Sequence, residues 1–288
     1  MTIMVTSIKL GYVPEHFSTP IIFADRLGFF REKSLSVELI PFPSGTGHMI
    51  EALSNGTVDV AIGLTEGWLA GLGQGKTHYK VVGTYVQSPL LWAVSAGASS
   101  DVKEIGDLKD KANIGISRLG SGSHIMSYVL AKENQWLSHG EPFSFHPVGT
   151  FQNLRNAVND GTCHAFMWEY FTTKKYYDLG EIKQVGQIYT PWPSWLVVAR
   201  ADISKQHETM SNLLSSLDRG DEAVSYISTE LDYTKEDAEK WLKTVRFSDK
   251  LGDVQDEMLK KTLEVLRDAG VVKEIPKVDA LVERIQYE

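Results

Sequence analysis

The chain has 288 residues, 42% hydrophobic and 23% charged, enough to bury the core of one large domain or of two lobes. A net charge of −8 argues against nucleic acid as the main partner, because phosphate binding calls for a basic face. No stretch reaches the roughly 20 apolar residues of a membrane span, and the single cysteine, Cys163, precludes an intramolecular disulfide or a multi-cysteine zinc site.

From the N-terminus, "MTIMVTSIKLGYV" lacks a basic head followed by an apolar core and enters a strand pattern at once. If the first methionine is native, this reading places the protein in the cytosol; a trimmed leader would instead imply a periplasmic or secreted protein. After the strand over Ser7–Val13 come the turn "PEHFSTP", a helix pattern "IIFADRLGFFREK" and the strand "SVELIPF". A Gly-rich turn "PSGTG" and the helix "HMIEALSNG" lead to the strand "VDVAIGL", the helix "TEGWLAGLGQG" and the strand "YKVVGTYVQ". This βαβα order predicts an α/β fold with mainly parallel sheets flanked by helices. From about Asp202 the composition turns to charged amphipathic helix, notably "KEDAEKWLKTV" and "DEMLKKTLEVLRDAG", the latter ending at Gly270 as a C-cap.

The chain repeats itself. "MIEALSNGTVDVAIGL" returns as "NLRNAVNDGTCHAFMWEY", with Gly56 and Gly161 at an offset of 105. Gly11 and Gly115 match at 104, Pro41 and Pro147 at 106, and Pro89 and Pro193 at 104. Each match alone is ordinary strand-Gly-helix grammar; four in one order at nearly one offset mark an internal duplication. The repeat predicts two lobes: residues 1–92 plus the helical tail 195–288, and residues 93–194. Two crossings near Ser88–Trp92 and Pro191–Trp195 would form a hinge, with a ligand cleft between the lobes.

Ligands of open parallel sheets sit beyond the carboxyl ends of the strands. In lobe one that rule selects His16 and Phe17, then Ser44, Gly45 and Thr46, then Thr65, Glu66 and Trp68. In lobe two it selects Arg118, Ser121, Gly122 and Ser123, then Trp168 and Glu169; the crossings add Tyr85, Trp92, Trp192 and Trp195. The stretch "SRLGSGSH" at a helix start suits a polar ligand edge, yet a serine there also caps a helix. It matches a dinucleotide fingerprint only in Gly120 and Gly122, with no Walker lysine. The tryptophans are either core or stacking faces for a flat ring or a cation. Glu66 and Glu169 are a general acid and base, acceptors for ring amines, or solvated carboxylates. The histidines show no metal-ligand spacing, no nucleophile elbow is present, and Cys163 is expected to be buried and inert. No cofactor, metal or catalytic residue is expected, and the oligomeric state is left open.

Residues 7–200 resemble the nitrate, sulfonate and taurine substrate-binding proteins of ABC transporters, a family that includes thiamine-pyrimidine precursor binders and pyrimidine synthases. The likeness rests on Gly28-Phe29-Phe30, on Val37-Glu38-Leu39, on the "AL-x-x-G-x-VD-x-A" element from Ala52 to Ala61, and on "DLKDKANIGISRLGSGSHIMSYVL". It implies the type II periplasmic-binding-protein fold. Two departures, His164 for the usual acid of the second "VD" element and Asp110 for the glycine of "DLKGK", read as surface changes. The lysine, histidine and cysteine run of the pyrimidine synthases are missing, so their chemistry is not implied. The resulting expectation is a cytosolic small-molecule binding protein that closes on a polar or aromatic metabolite, such as a pyrimidine-like thiamine precursor. The alternatives are an enzyme of pyrimidine or thiamine-precursor metabolism and the substrate-binding component of an ABC transporter for sulfonate-like ligands.

Overall fold

The computed structural model describes residues 5–109, 112–137, 141–217, 228–231 and 233–286; Asp110 and His139 lie outside them, as do the first four residues. Its first elements are β1 (Thr6–Tyr12), α1 (Thr19–Arg26), α2 (Phe29–Glu32), β2 (Leu35–Pro41), α3 (Thr46–Ser54), β3 (Val60–Leu64), α4 (Thr65–Gly73) and β4 (Tyr79–Val86). Then follow β5 (Leu91–Gly97), β6 (Ala112–Ile116), α5 (Gly122–Glu133), β7 (Phe143–Pro147), α6 (Phe151–Asn159), β8 (Ala165–Glu169), α7 (Tyr170–Asp178) and β9 (Ile182–Tyr189). The chain closes with β10 (Trp195–Arg200), α8 (His207–Leu217), α9 (Lys235–Thr244) and α10 (Asp256–Asp268). Among the described residues, no helix is long and apolar enough to cross a membrane.

Two five-stranded sheets share one plan. The first runs β2-β1-β3-β10-β4 and the second β7-β6-β8-β5-β9. In each, one strand is antiparallel to its neighbours: β10 in the first and β5 in the second. The other pairings are parallel, as βα alternation requires. The chain divides into two compact units, Met1–Ser88 with Trp192–Glu264 and Val272–Glu288, and Pro89–Pro191 with Val265–Val271.

The duplication holds down to single hydrogen bonds. Asn55 and Asp160 each accept the N–H of the threonine two residues on, at 2.9 Å, across Gly56 and Gly161. Both glycines have positive φ (75° and 80°), a conformation that strains any other residue, which is why the Gly of this turn recurs. The next residue closes onto the preceding helix in both copies: Val58 N–H bonds the Ala52 carbonyl and Cys163 N–H the Ala157 carbonyl. Cys163 thus fills the core position of Val58, and burial beside Asp160 pushes its thiol up to about 11, as suits an inert packing residue. The paired strand glycines have a common cause too. A Cβ on Gly11 would sit 3.2 Å from Phe42 and 3.4 Å from Val58; one on Gly115 would sit 3.1 Å from Leu154 and 3.3 Å from Cys163.

His164 proves to be more than a surface change. Asp59 Oδ2 accepts the Lys9 N–H at 2.9 Å, and His164 Nδ1 accepts the Asn113 N–H at 2.9 Å, so the imidazole does the work of the acid it replaces. A second difference lies at "IIFADRLGFFREK", which the apolar pattern reads as one helix. Gly28 adopts φ 85° and breaks it into α1 and α2, so the shared Gly-Phe-Phe is a left-handed corner that starts α2.

Candidate ligand site

In the first unit, β3 is the central strand, and its VAIGL sequence is buried almost throughout. Its carboxyl end runs straight into α4, whose N-cap is Leu64, a residue without a capping side chain. The polar residues around this corner bond elsewhere. Thr46 Oγ1 accepts the Leu64 N–H at 3.1 Å, tying the start of α3 to the end of β3. Thr65 donates its N–H to the Ser194 carbonyl at 3.0 Å and its hydroxyl to the Pro193 carbonyl at 2.5 Å. This holds the segment before β10 against the start of α4.

Glu66 is fully buried there. The Trp192 indole donates to Glu66 Oε2 at 3.0 Å, while Oε1 has no hydrogen-bond partner among the described residues. Burial pushes the carboxyl up to about 7, against the opposing pull of its backbone bond and of Trp192. Leaving a buried acceptor unsatisfied costs about 1–3 kcal/mol.

Beside it stands an aromatic cluster. The 3-10 turn His16–Ser18 after β1 is buried, and its Phe17 stacks on Trp195 at 5.3 Å and 28°. Trp195 opposes Leu64 in the β10–β3 register, which brings the cluster to the strand end that carries Glu66. The Tyr85 hydroxyl donates to the Phe17 carbonyl at 2.9 Å. His16 Nδ1 lies 2.7 Å from the Tyr233 hydroxyl, and the Trp241 ring meets His16 and Phe17 edge-on at 4.8 and 5.3 Å. The indole N–H groups of Trp195 and Trp241 have no partner among the described residues. Sequence reasoning missed Tyr233 and Trp241; the available signal was a tryptophan on the apolar face of an otherwise charged helix, α9.

The other first-unit candidates have different settings. Trp68 points into the core, edge-on to Tyr79 at 5.5 Å, with the Tyr79 hydroxyl donating to the Trp68 carbonyl at 2.7 Å. Ser44 is exposed and Gly45 half-buried, just ahead of α3.

In the second unit the polar groups at the strand ends serve their own helices. Glu169, the residue at the end of β8, is the N-cap of α7 and accepts the Thr172 N–H on Oε2 at 2.6 Å. Thr150, the counterpart of Gly45, caps α6 by accepting the Asn153 N–H at 3.2 Å. Ser121 caps α5, its hydroxyl lies 2.9 Å from that of Ser123, and Ser123 accepts the Ser117 N–H at 3.1 Å. Gly122 opens that helix, and Arg118 is exposed on the loop before it. His124 accepts the Gly120 N–H on Nδ1 at 3.1 Å, and burial lowers its pKa, so it is neutral at pH 7 with its proton on Nε2.

Trp168 is half-buried and stacks on Phe151 at 5.0 Å and 22°. The stack is extended by Arg155, whose guanidinium lies 4.8 Å from the Phe151 ring centre and 3.6 Å from that of Tyr176, with Glu181 at 2.7 Å. Trp92 is buried and opposes Glu169 in the β5–β8 register; its indole N–H has no partner among the described residues.

The structure therefore brings His16 and Phe17 together with Trp195, and Thr65 and Glu66 together with Trp192, in one unit. In the other it brings Trp92 beside Glu169 and Ser121 beside Ser123.

Comparison with known proteins fits this architecture. The pattern of the family described as Ca3427-like PBP matches residues 92–188, and that of the NMT1-like family matches residues 2–131. No curated protein matches the chain. Among solved structures, the Candida albicans CA3427 gene product is 40% identical, covering 99% of this chain and 98% of its own, with a TM-score of 0.89. The aliphatic sulphonate binding protein SsuA of Escherichia coli is 12% identical over 98% of this chain and 93% of its own, TM-score 0.74. The nitrate-binding protein NrtA of Synechocystis PCC 6803 is 16% identical over 96% and 87%, TM-score 0.68. At such identities SsuA and NrtA share the fold alone. The CA3427 product is described as defining a family with the generic periplasmic binding protein fold, and at this identity and coverage the chain belongs to that family.

Proposed function

We propose that the chain is a cytosolic small-molecule binding protein whose ligand is a polar aromatic metabolite of the thiamine-pyrimidine kind. The observation that carries this reading is the unit that holds the end of β3, where a buried carboxyl oxygen and two indole N–H groups lack partners among the described residues and Phe17 stacks on Trp195 with Trp241 edge-on to it. Buried polar atoms are nearly always paired in folded proteins. A corner rich in such atoms and in flat apolar faces suits a ligand that is itself flat and carries both donors and acceptors. His16, Phe17, Thr46, Thr65 and Glu66 are the proposed contacts in the first unit. In the second, Trp92, Trp168 and the Ser121–Ser123 helix start are the proposed contacts, since each serine hydroxyl keeps capacity beyond its two internal bonds.

Titration calorimetry of the purified protein with the hydroxymethyl-aminopyrimidine half of thiamine, with taurine and with nitrate tests the proposal, alongside mass spectrometry of each ligand after incubation. Saturable heat with the aminopyrimidine and an unchanged ligand mass is the expected result. A changed mass would replace the binder with the enzyme reading, and heat with taurine alone would favour the sulfonate transporter component. Fractionation of cells expressing the full reading frame tests the location: recovery in the cytosol is expected, and recovery in the periplasm or medium contradicts it.

A further inference from the structure

The corresponding corner of the second unit is built differently. At the offset of 105 that relates β3 to β8, Glu169 matches the N-cap Leu64, and Glu66 matches Phe171. Glu169 spends a carboxylate oxygen on the Thr172 N–H, the ordinary work of a helix cap. Glu66 is not an N-cap and pairs with no lysine or arginine among the described residues; it is fully buried, and the one side chain that donates to it is the Trp192 indole. The N-cap Thr150 likewise matches Gly45, which has no side chain to cap α3, while the neighbouring Thr46 reaches to β3. A glutamate retained only for packing would be better replaced by an apolar residue, because burying a carboxyl with one oxygen unpaired is unfavourable.

We propose that Glu66 and Trp192 form a specificity device in which the indole N–H holds Oε2 in place, so that Oε1 accepts a hydrogen bond from a ligand N–H and amino-substituted nitrogen rings are selected over oxyanions. This rests on the ligand-binding reading above and adds the chemical class of the ligand and the part played by Trp192. The geometry fixes which oxygen does what: Oε2 already accepts at 3.0 Å, which leaves Oε1 to the ligand. An amino ring suits either protonation state of the acid. The ionised carboxylate accepts from the ligand N–H, and the neutral acid gives its own proton to the adjacent ring nitrogen. An oxyanion is repelled by the ionised form and gains no cation in exchange. Trp192 touches the carboxyl rather than the ligand and is a positioning residue.

The test uses E66Q, W192F and the double variant in the full-length protein, with circular dichroism as a check of folding. In E66Q the new amide keeps its carbonyl on the Trp192 N–H, so its NH2 faces the ligand N–H. Affinity for the hydroxymethyl-aminopyrimidine falls about 100-fold, as when a buried polar group meets the wrong partner. Adding W192F frees the amide to turn its carbonyl toward the ligand and restores about tenfold of that loss, a rescue that a merely structural role would not produce. Equal binding by E66Q and wild type, or no recovery in the double variant, overturns the proposal. So does wild-type preference for taurine or nitrate, an outcome that leaves small-molecule binding itself intact. One readout needs no ligand: isotope-edited NMR of the Trp192 indole N–H in wild type follows Glu66 ionisation with a midpoint near 7, and in E66Q it is flat across that range. A wild-type indole resonance that E66Q leaves unmoved shows that the indole is not on Glu66 and overturns the proposal by itself.

Discussion

The two units were written from one pattern and have spent their polar residues differently. In the second, Glu169, Thr150 and Ser121 close the first turns of α7, α6 and α5, so its strand ends are largely self-sufficient. In the first, the N-cap positions of α3 and α4 are Gly45 and Leu64, which have no capping side chain, while Thr46 bonds the end of β3 and Glu66 meets the Trp192 indole. A cap contributes about 1 kcal/mol of stability. Forgoing it at two corresponding corners of one unit, and burying a carboxyl besides, marks that unit as the one whose local stability was traded for recognition. The lesson is that matching positions in a duplicated fold inherit backbone geometry but not side-chain duties.

The largest effect that would break this comparison is the pH dependence of stability. Glu66 titrates near 7 in the folded protein and at its ordinary 4.5 when unfolded. The folded state therefore binds the extra proton between those values. The contribution of this group is greatest below about pH 4.5, falls as pH rises toward 7, and levels off above it, a loss on the order of 3 kcal/mol. Urea unfolding across that range should show the slope in wild type and in E169Q, and E66Q should remove this contribution.

Next in size are the paired strand glycines. G11A and G115A each force a methyl to within 3.4 Å of packed side chains, and each should cost about 2 kcal/mol in chemical denaturation. Similar losses sharpen the duplication; a tolerated change in one copy alone would show that its packing has drifted. Loss of the α7 cap in E169A should cost about 1 kcal/mol and leave ligand affinity in the first unit unchanged, unlike E66Q. Smallest is the exchange at the start of β8. H164D puts back an acceptor of the kind Asp59 supplies in the other copy and should move stability by less than about 0.5 kcal/mol, whereas H164A, which strands the Asn113 N–H at an exposed site, should cost up to about 1 kcal/mol.

Much of this architecture can be read from spacing because its causes are local. The Asn-Gly-Thr and Asp-Gly-Thr turns, the strand glycines and the alternation of apolar runs with helix patterns each reflect contacts within a short stretch. That is why one offset near 105 recovers the repeat and, with it, the mainly parallel two-sheet fold. The break at Gly28 was visible only as a glycine inside an apolar pattern, a signal that also fits an unbroken helix. Long-range partners leave no such trace. Nothing in "TEGWLAG" announces that Glu66 meets an indole 126 residues further on, and nothing in "SRLGSGSH" shows that Ser121 and Ser123 spend hydroxyl contacts on each other. Tyr233 and Trp241 reach His16 from a segment whose charged amphipathic pattern signals only a packed helix.

Carbon NMR of the glutamate carboxyls, recorded through a pH series with and without the hydroxymethyl-aminopyrimidine, puts the central claim to its most direct test. One carboxyl should titrate near 7, disappear in E66Q, and shift when the ligand is added. If every glutamate instead titrates in the ordinary carboxylate range, or if the bound ligand leaves the Glu66 signal where it was, the recognition corner at the end of β3 is not what holds the ligand.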